Sequence, residues 1–247
     1  MMNQCYFFQI IKIFDMKKYK ILGLTLARGG SQGIKNKNIK LLKGKPLIYY
    51  TIIEALKSKL IDRYVVSTDS KKIQNISLKY GAESPFLRPK NLSSSKATSA
   101  SAIKHAIEWV ENEEGYKYDY IIELMCTNPL KKSIDIDASI KKLIRTKADS
   151  VIAVHKLEDH HPARIKKIIN DKIVNFCVDE TLEMRRQDLK PHAYIRSGSI
   201  YALKRDYFMK NIKRYGSLNS RPYILPPERV INIDDINDFY LAENLMK

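Results

Sequence analysis

The sequence predicts an α/β fold with a mostly parallel β-sheet. Apolar runs of strand length alternate with segments in which apolar residues recur at helical spacing, which is typical of stacked βα units. Pro, Gly, Asn and Asp residues stand between these runs, where the chain has to turn. A chain of 247 residues can bury one substantial core, so we expect one α/β domain.

The elements begin with a strand predicted at Lys20–Ala27. Pro46 favours the start of a helix, because its fixed φ suits the first helical turn, and the helical spacing ends near Lys59. A short strand is predicted at Arg63–Ser67 and a polar helix follows it. Gly81 supplies the stop of that helix.

The middle of the chain continues the alternation. A helix that begins near Thr98 carries apolar residues at i, i+4 and i+7, so one of its faces should pack on the sheet. Tyr120–Met125 is predicted to be a buried strand, and Ser133 is predicted to cap the helix after it. Asp149–His155 is the next predicted strand.

The pattern changes between residues 156 and 191. Two short β-like runs, Arg164–Ile169 and Lys172–Val178, are joined by an Asn-Asp turn. This segment therefore reads as a small β-rich insertion in the α/β pattern.

After the insertion, the parallel pattern is expected to resume with strands at Tyr194–Leu203 and Arg229–Ile233. A closing helix is predicted from Asp235 to Met246. At the other end, Met16 precedes two lysines and the first convincing strand, so residues 1–15 are treated as a non-native start or tail. The folded domain is therefore expected at residues 16–247.

Composition restricts the classes of partner. The net charge of +17 suits polyanions, but the lysines are spread along the chain and no nucleic-acid-binding module is visible, so nucleic acid is not expected as a partner. No apolar run approaches the ~20 residues that a membrane span needs. Three scattered cysteines, Cys5, Cys126 and Cys177, predict neither a disulfide framework nor a zinc site. A reducing, cytoplasmic location is expected.

The segment Ala27–Asn38, directly after the first strand, is the most informative motif. Its three glycines let the backbone approach a ligand closely, and its N–H groups together with Arg28 and Lys37 can surround phosphate oxygens. The spacing matches neither the Walker A loop nor the dinucleotide-binding fingerprint. A triphosphate site is the interpretation, and a plain glycine-rich turn is the alternative.

This loop reads Ala-Arg-x-x-Ser-x-Gly-x-x-x-Lys-Asn, and it resembles the fingerprint of the acylneuraminate cytidylyltransferases, the CMP-sialic acid synthetases. The likeness extends over roughly residues 19–245. Seven further segments agree in order: Ser67-Thr68-Asp69, Leu87-Arg88-Pro89, Thr127-Asn128-Pro129-Leu130, His160-His161-Pro162, Arg186-Gln187, Ser197-Gly198-Ser199-Ile200-Tyr201 and Asn232-Ile233-Asp234.

The resemblance implies a Rossmann-like nucleotidyltransferase that transfers CMP from CTP to the anomeric hydroxyl of a sialic-acid-like sugar and releases pyrophosphate. It further implies Mg²⁺ as cofactor, CTP and an acidic sugar as partners, and a homodimer formed through residues 156–191. Arg28, Lys37 and Asp234 are the implied catalytic residues. The implied nucleotide-binding residues are Arg28, Gly29, Gly30, Ser31, Gly33, Lys37, Asn38 and Arg88.

Asp234 is the expected metal ligand. Asn232 should lie beside it, because alternate residues of a strand project to the same side. The family usually has Asp at both positions, so Asn232 removes one negative charge and leaves the number of metal ions open. Asp135-Ile136-Asp137 has the look of another metal motif, but its place in a first helical turn favours an interaction with the helix dipole.

For the sugar, the resemblance implies that Arg186 and Arg164 hold the carboxylate of the acceptor. A planar guanidinium can bind a carboxylate through two hydrogen bonds, which gives this specificity a physical origin. Met125, Ser197 and Tyr201 are expected to line the sugar pocket. Three alternatives stay open: Arg186 as part of a solvated charge pair, Tyr201 as a core residue and Arg88 as a surface arginine.

Several positions depart from the pattern of the family: Gln32, Ser95, Met125, Cys126, Ser197 and Asn232. Met125 stands where the family usually has Gln, which predicts a less polar sugar pocket. These departures keep two alternatives open. One is the same fold with GTP or with legionaminic, pseudaminic or ketodeoxyoctonic acid, and the other is a weakly catalytic nucleotide-binding protein.

Overall fold

The computed structural model describes residues 18–31, 33–179 and 184–246, so the expected tail at 1–15 and the departure at Gln32 lie outside the described residues. The strands are β1 (Ile21–Leu26), β2 (Leu41–Leu42), β3 (Lys45–Pro46), β4 (Arg63–Ser67), β5 (Tyr120–Leu124), β6 (Ser150–Lys156), β7 (Lys166–Ile169), β8 (Lys172–Asn175), β9 (Tyr194–Lys204) and β10 (Ser220–Ile224). The helices are α1 (Leu47–Leu56), α2 (Lys71–Lys79), α3 (Ser99–Glu114), α4 (Ser133–Thr146), α5 (Arg205–Asn211) and α6 (Ile236–Leu245).

A six-stranded sheet with the order β10-β6-β9-β5-β1-β4 forms the centre of the molecule. Its neighbours pair in parallel except at β9, which runs antiparallel to both β5 and β6. Apolar residues of α1, α2 and α4 pack on one face of the sheet, and those of α3 and α5 pack on the other. The predicted α/β architecture with a mostly parallel sheet is confirmed.

Local signals place most element ends correctly. The strand predicted at Arg63–Ser67 is β4, and the Thr98 hydroxyl caps α3 by accepting a hydrogen bond from the amide of Ser101 at 3.1 Å. The cap predicted at Ser133 is wrong by one residue, because Lys132 is the N-cap residue of α4. Asp135 supplies the side-chain bond of this cap by accepting from the amide of Lys132 at 2.9 Å.

The expectation that the parallel pattern resumes after the insertion is wrong for β9. Lys156 at the end of β6 pairs with Tyr194 at the start of β9, so the chain leaves β6 and enters β9 at the same end of the two strands. When one strand starts beside the end of its neighbour, the two strands run in opposite directions. The insertion is therefore the elaborated turn of a long β-hairpin.

The strand predicted at Arg229–Ile233 is not a strand. The last strand of the sheet is instead β10, which pairs in parallel with β6, and Pro226 and Pro227 end the extended run after it. Residues 230–234 then cross the edge of the sheet as irregular chain. Helix α5 was not predicted from the sequence. It has seven residues, of which only Phe208 is buried, and one buried residue does not give a periodic apolar pattern.

The insertion forms the antiparallel hairpin β7–β8, and Asn170 and Asp171 make the predicted turn with positive φ angles of 49° and 60°. The side chains of Ile168 and Ile173, which face each other across the hairpin, are 76% and 75% exposed. Among the described helices, none combines the length and apolar character needed to cross a membrane.

Candidate active site

A cleft of about 390 Å³ opens at the carboxyl end of β1, where ligands commonly bind in open α/β sheets. We call it the glycine-loop cleft. It is lined by Leu26, Arg28, Ser31, Gly33, Lys37, Asn38 and Asp234. Residues separated by about two hundred positions in the sequence thus meet in one concave site.

Polar contacts hold the glycine loop, residues 27–31 and 33–38, in place. The amide of Gly29 donates to a carboxylate oxygen of Asp69 at 2.9 Å, and the side-chain amide of Asn38 donates to the carbonyl of Arg28 at 3.1 Å. A Cβ atom at Gly33 would lie 2.4 Å from the carbonyl oxygen of Asp234, so only glycine allows this approach. The loop and the segment that carries Asp234 are consequently in direct contact.

Lys37 and Asp234 face each other across the cleft. The ammonium of Lys37 donates to the carbonyl of Ile233 at 2.7 Å and lies 3.4 Å from a carboxylate oxygen of Asp234. The other carboxylate oxygen of Asp234 accepts from the side-chain amide of Asn232 at 2.6 Å. The side chains of Asn232 and Asp234 lie beside each other as expected, although residues 232–234 are irregular chain rather than a strand.

Arg88 is buried beside the glycine loop, so the surface-arginine alternative is wrong. Its guanidinium donates to the hydroxyl of Ser93 at 3.2 Å and lies 4.0 Å from a carboxylate oxygen of Asp69. Burial lowers the pKa of Arg88, the Asp69 carboxylate opposes this shift, and Arg28 adds to it. The proximity of Arg28 and Arg88 concentrates positive charge at the cleft, as binding of a polyphosphate requires.

The three residues expected at the sugar lie at or near the end of β5 and along β9. The hydroxyl of Ser197 is buried and donates to the carbonyl of Ala153 at 2.9 Å. Tyr201 is also buried, with the guanidinium of Arg214 4.7 Å from its ring centroid, which favours the core-residue alternative. Met125 is partly buried against the same apolar cluster.

Arg186 and Arg164 lie outside the lining of the glycine-loop cleft. Arg186 is half exposed, pairs with Asp159 and lines a separate cavity of about 90 Å³ in the insertion. The hydrogen bond to Arg186 lowers the pKa of Asp159. A guanidinium nitrogen of Arg164 lies 3.4 Å from the carbonyl of Met184. Within one chain, the structure does not bring these cations to the nucleotide residues.

Two buried charged groups near the site were missed at the sequence level. Glu123 on β5 is buried and pairs with Arg214 at 2.8 Å, and Lys131 is buried completely in the turn after β5. Neither has a local sequence signal, because charged residues are usually exposed and only tertiary contacts bury them here.

The chemistry of the donors decides which residues fit a metal ion. The Asp234 carboxylate is 69% exposed beside the cleft, and Asn232 can offer a carbonyl oxygen. Mg²⁺ is commonly held by one or two carboxylates together with substrate phosphates, so this pair fits a phosphate-bound Mg²⁺. Asp135 instead accepts hydrogen bonds from Tyr223 at 2.8 Å and Arg229 at 2.6 Å. In the described ranges there is no group of three or more His, Cys, Asp or Glu residues that could hold a metal ion.

Comparison with known proteins identifies the family of this chain. Residues 22–222 match the family model described as Cytidylyltransferase. The chain is 34% identical over 235 residues to the pseudaminic acid cytidylyltransferase of Campylobacter jejuni strain 81-176, which covers 92% of this chain and 97% of that protein. It is 31% identical over 225 residues to the N-acylneuraminate cytidylyltransferase of Escherichia coli O18:K1:H7, with coverage of 90% and 51%.

The fold is shared with a solved CMP:2-keto-3-deoxy-manno-octonic acid synthetase in complex with CTP, at a TM-score of 0.67 and 17% identity over 92% of this chain and 98% of that one. The resemblance seen in the glycine loop is thus matched along most of the sequence and by the whole fold. The chain belongs to the cytidylyltransferase family that includes the acylneuraminate cytidylyltransferases, and it is a nucleotidyltransferase.

Proposed function

We propose that this enzyme transfers CMP from CTP to the anomeric hydroxyl of a nonulosonic acid and releases pyrophosphate. The observation that carries the proposal is the glycine-loop cleft, in which Arg28, Lys37 and backbone amides face Asp234. The names of the relatives, which refer to pseudaminic acid and N-acylneuraminate, support an acidic sugar as acceptor.

The charged residues of the cleft have distinct roles in this reaction. Arg28, Lys37 and the backbone N–H groups of the loop hold the triphosphate and balance the charge that develops on the α-phosphoryl group. The Lys37 ammonium is fixed by its bond to the carbonyl of Ile233, so little reorganisation is needed. Asp234 and Asn232 would hold Mg²⁺, which neutralises phosphate charge and lowers the pKa of the attacking hydroxyl.

The sugar that we propose is a deoxygenated nonulosonic acid, of which pseudaminic acid is one, rather than N-acetylneuraminic acid. Met125 offers an apolar side chain where the family usually offers the amide of Gln. A sugar hydroxyl without a partner there costs about 1–3 kcal/mol in desolvation. The 34% identical relative named for pseudaminic acid supports the same choice.

We also propose that two copies associate through the insertion. Ile168 and Ile173 expose apolar surface on one face of the β7–β8 hairpin, and Phe176 is 57% exposed just after β8. A second copy that covers this surface would remove it from water. The insertion of one copy would then form a wall of the sugar pocket of the other, where Arg186 can bind the carboxylate of the sugar.

The proposed function is tested by measuring pyrophosphate release with a panel of nucleoside triphosphates and nonulosonic acids. We expect CTP with pseudaminic acid to give the highest kcat/KM, and GTP to give none. Full activity with GTP alone, or with ketodeoxyoctonic acid alone, would contradict the choice of substrates. Nucleotide binding without turnover on any sugar would support the alternative of a weakly catalytic binding protein.

The sugar pocket is tested with two variants and one matched control. Met125→Gln should improve N-acetylneuraminic acid relative to pseudaminic acid by roughly 5- to 100-fold in kcat/KM, because the lost partner is restored. Arg186→Ala should raise the KM of both sugars, and Arg185→Ala, at the adjacent exposed arginine, should change neither. An unchanged ratio in Met125→Gln would show that this side chain does not select the sugar.

A further inference from the structure

Lys131 is a buried charge beside the active site for which the reaction above has no use. It lies in the turn between β5 and α4, and its side chain has no exposed surface. Its ammonium donates to the hydroxyl of Thr51 at 2.8 Å, to the carbonyl of Met125 at 2.8 Å and to the carbonyl of Asn128. All three acceptors are neutral, so the contact is a three-way hydrogen-bond clamp rather than an ion pair.

The clamp holds both ends of the turn Met125–Asn128. Asn128 also ties the turn to the residues that follow it. Its side-chain oxygen accepts from the backbone amides of Leu130 at 2.9 Å and Lys131 at 3.1 Å. The ammonium of Lys131 donates to the carbonyl of Asn128 and is the nearer of two donors to the carbonyl of Met125, from which the hydroxyl of Thr51 lies 3.5 Å away. An ammonium has three donors and no acceptor, which suits a pocket of three converging oxygens.

This turn supports the segment that carries Asp234. The carbonyl of Thr127, which lies between the two clamped carbonyls, accepts from the amide of Ile233 at 2.8 Å. The side-chain amide of Asn128 donates to the carbonyl of Arg229 at 3.0 Å. The carbonyl of Ile233 in turn receives the ammonium of Lys37. A continuous path of hydrogen bonds thus leads from Lys131 through the turn to Lys37 and to the residue before Asp234.

The same turn contacts β9 on its other side. The amide of Met125 donates to the carbonyl of Ser199 at 2.9 Å, and the hydroxyl of Thr127 donates to the carbonyl of Gly198 at 3.0 Å. Gly198 has a φ of 59°, and a Cβ atom there would lie 2.6 Å from the amide oxygen of Asn232. The turn consequently fixes the distance between the Asn232–Asp234 segment and the strand beside it.

We infer that Lys131 is a positioning residue of the nucleotidyl transfer, which holds the Met125–Asn128 turn and through it sets the positions of Asp234 and the Lys37 ammonium. The inference rests on the family activity and not on the identity of the sugar. An apolar residue in its place would leave the carbonyl of Asn128 without this donor and the carbonyl of Met125 with only the more distant Thr51 hydroxyl, at 3.5 Å. The turn would then shift toward other donors and move the Ile233–Asp234 segment with it.

The test compares Lys131→Met, which keeps the length and apolar stem of the side chain, with Ile140→Val and Ile140→Ala. Ile140 is a core residue of α4, so its variants lower stability without removing a hydrogen bond of the turn. For each variant we would measure the thermal midpoint, the metal-free Kd for CTP, kcat and KM, all at a temperature where every variant is folded. Lys131→Met should lose at least tenfold in kcat, whereas its Kd for CTP, which depends on Arg28 and the loop amides as well as on Lys37, should rise by a smaller factor.

At an equal loss of thermal midpoint, the Ile140 variants should keep kcat within twofold of the wild type. An equal loss of kcat in Lys131→Met and in its stability-matched Ile140 variant would overturn the inference, as would a wild-type kcat in Lys131→Met. Should Lys131→Met not fold, Thr51→Val carries the test, because it removes one of the three acceptors and leaves the carbonyls paired. We expect a loss of about threefold in its kcat at unchanged Kd for CTP, and a kcat equal to that of the wild type would overturn the inference.

Discussion

The glycine-loop cleft and the insertion are built in opposite ways. In the cleft, one chain brings Arg28, Lys37 and Asp234 together, and the Lys37 ammonium donates to the main-chain carbonyl of the buried Ile233. In the insertion, Arg186 is half exposed, and its side chain pairs with the exposed Asp159. The apolar residues Ile168 and Ile173 of the hairpin are exposed to water. The cleft is closed by contacts within one chain, whereas the insertion exposes apolar surface that, under the proposed function, a second copy covers.

Under the proposed function, the two regions hold different substrates. A triphosphate needs cations and amides at fixed distances, and a rigid site within one chain provides them without further assembly. If Arg186 binds the sugar, as proposed, the pocket on this exposed insertion needs a second surface to close it. Nucleotide binding should therefore be insensitive to assembly of the enzyme, whereas use of the sugar should depend on it.

The largest effect is expected at Asp234 in the glycine-loop cleft. Asp234→Ala removes the exposed carboxylate of the cleft, and we expect kcat to fall by about 10²–10³-fold, as for the loss of one electrostatic group in other active sites. The Kd for CTP without metal should stay within a few fold of the wild type. Asn232→Asp is the matched control and should preserve or raise kcat, since it restores the charge usual in the family. Full turnover in Asp234→Ala would remove this residue from the mechanism.

The next effect concerns the source of nucleotide affinity. A charge-assisted hydrogen bond contributes about 1.5–3 kcal/mol, so Arg28→Ala should raise the Kd for CTP roughly 10- to 100-fold. Lys141→Ala, at an exposed lysine of α4, should change the Kd less than twofold. Isothermal titration of both variants measures this. Equal losses would mean that the diffuse charge of +17, and not the cleft, binds the nucleotide.

The insertion is tested at the two isoleucines that face each other across its hairpin. Ile168→Asp with Ile173→Asp places charge on the apolar surface, and we expect the dimer to dissociate with at least a tenfold rise in Kd, from the loss of roughly 1.5–3 kcal/mol per buried isoleucine. The KM of the sugar should rise and the Kd for CTP should not. Lys172→Asp, at an exposed position of the same hairpin, is the control. Sedimentation velocity that finds a wild-type monomer would refute the proposed association.

The smallest expected effect is a pH dependence of stability that arises from the buried Lys131. Burial lowers the pKa of Lys131 from 10.5 to about 8, and the nearby Cys126, Glu54 and Asp135 oppose the shift without cancelling it. Between these two pKa values the unfolded chain binds more protons, so the folded state gains stability as the pH rises. The free energy of unfolding, measured with urea, should increase by about 1 kcal/mol from pH 8 to pH 9 relative to Lys131→Met. The same pH response in both proteins would show that this lysine does not carry the shift.

The sequence by itself predicted the α/β class, most strand and helix positions, and the cleft loop. These features depend on neighbours in the chain: the apolar period of α3, the turn at Asn170–Asp171, and the glycines and cations of residues 27–38. A loop that binds phosphate is a local structure, because one short segment supplies the backbone amides and the charges. Its residues could therefore be named before any contact between distant elements was known.

Only the tertiary structure decided the direction of β9, the burial of Arg88 and Lys131, and the contact of Gly33 with Asp234. Each of these depends on which distant segment lies alongside: β6 returns through the insertion to β9, and residues 229–234 leave the sheet to pack on the turn after β5. Periodicity and turn residues describe the local backbone and carry no information about such neighbours. The charge of Lys131 looks like a surface charge in the sequence, and three oxygens from α1 and the turn after β5 make it part of the interior.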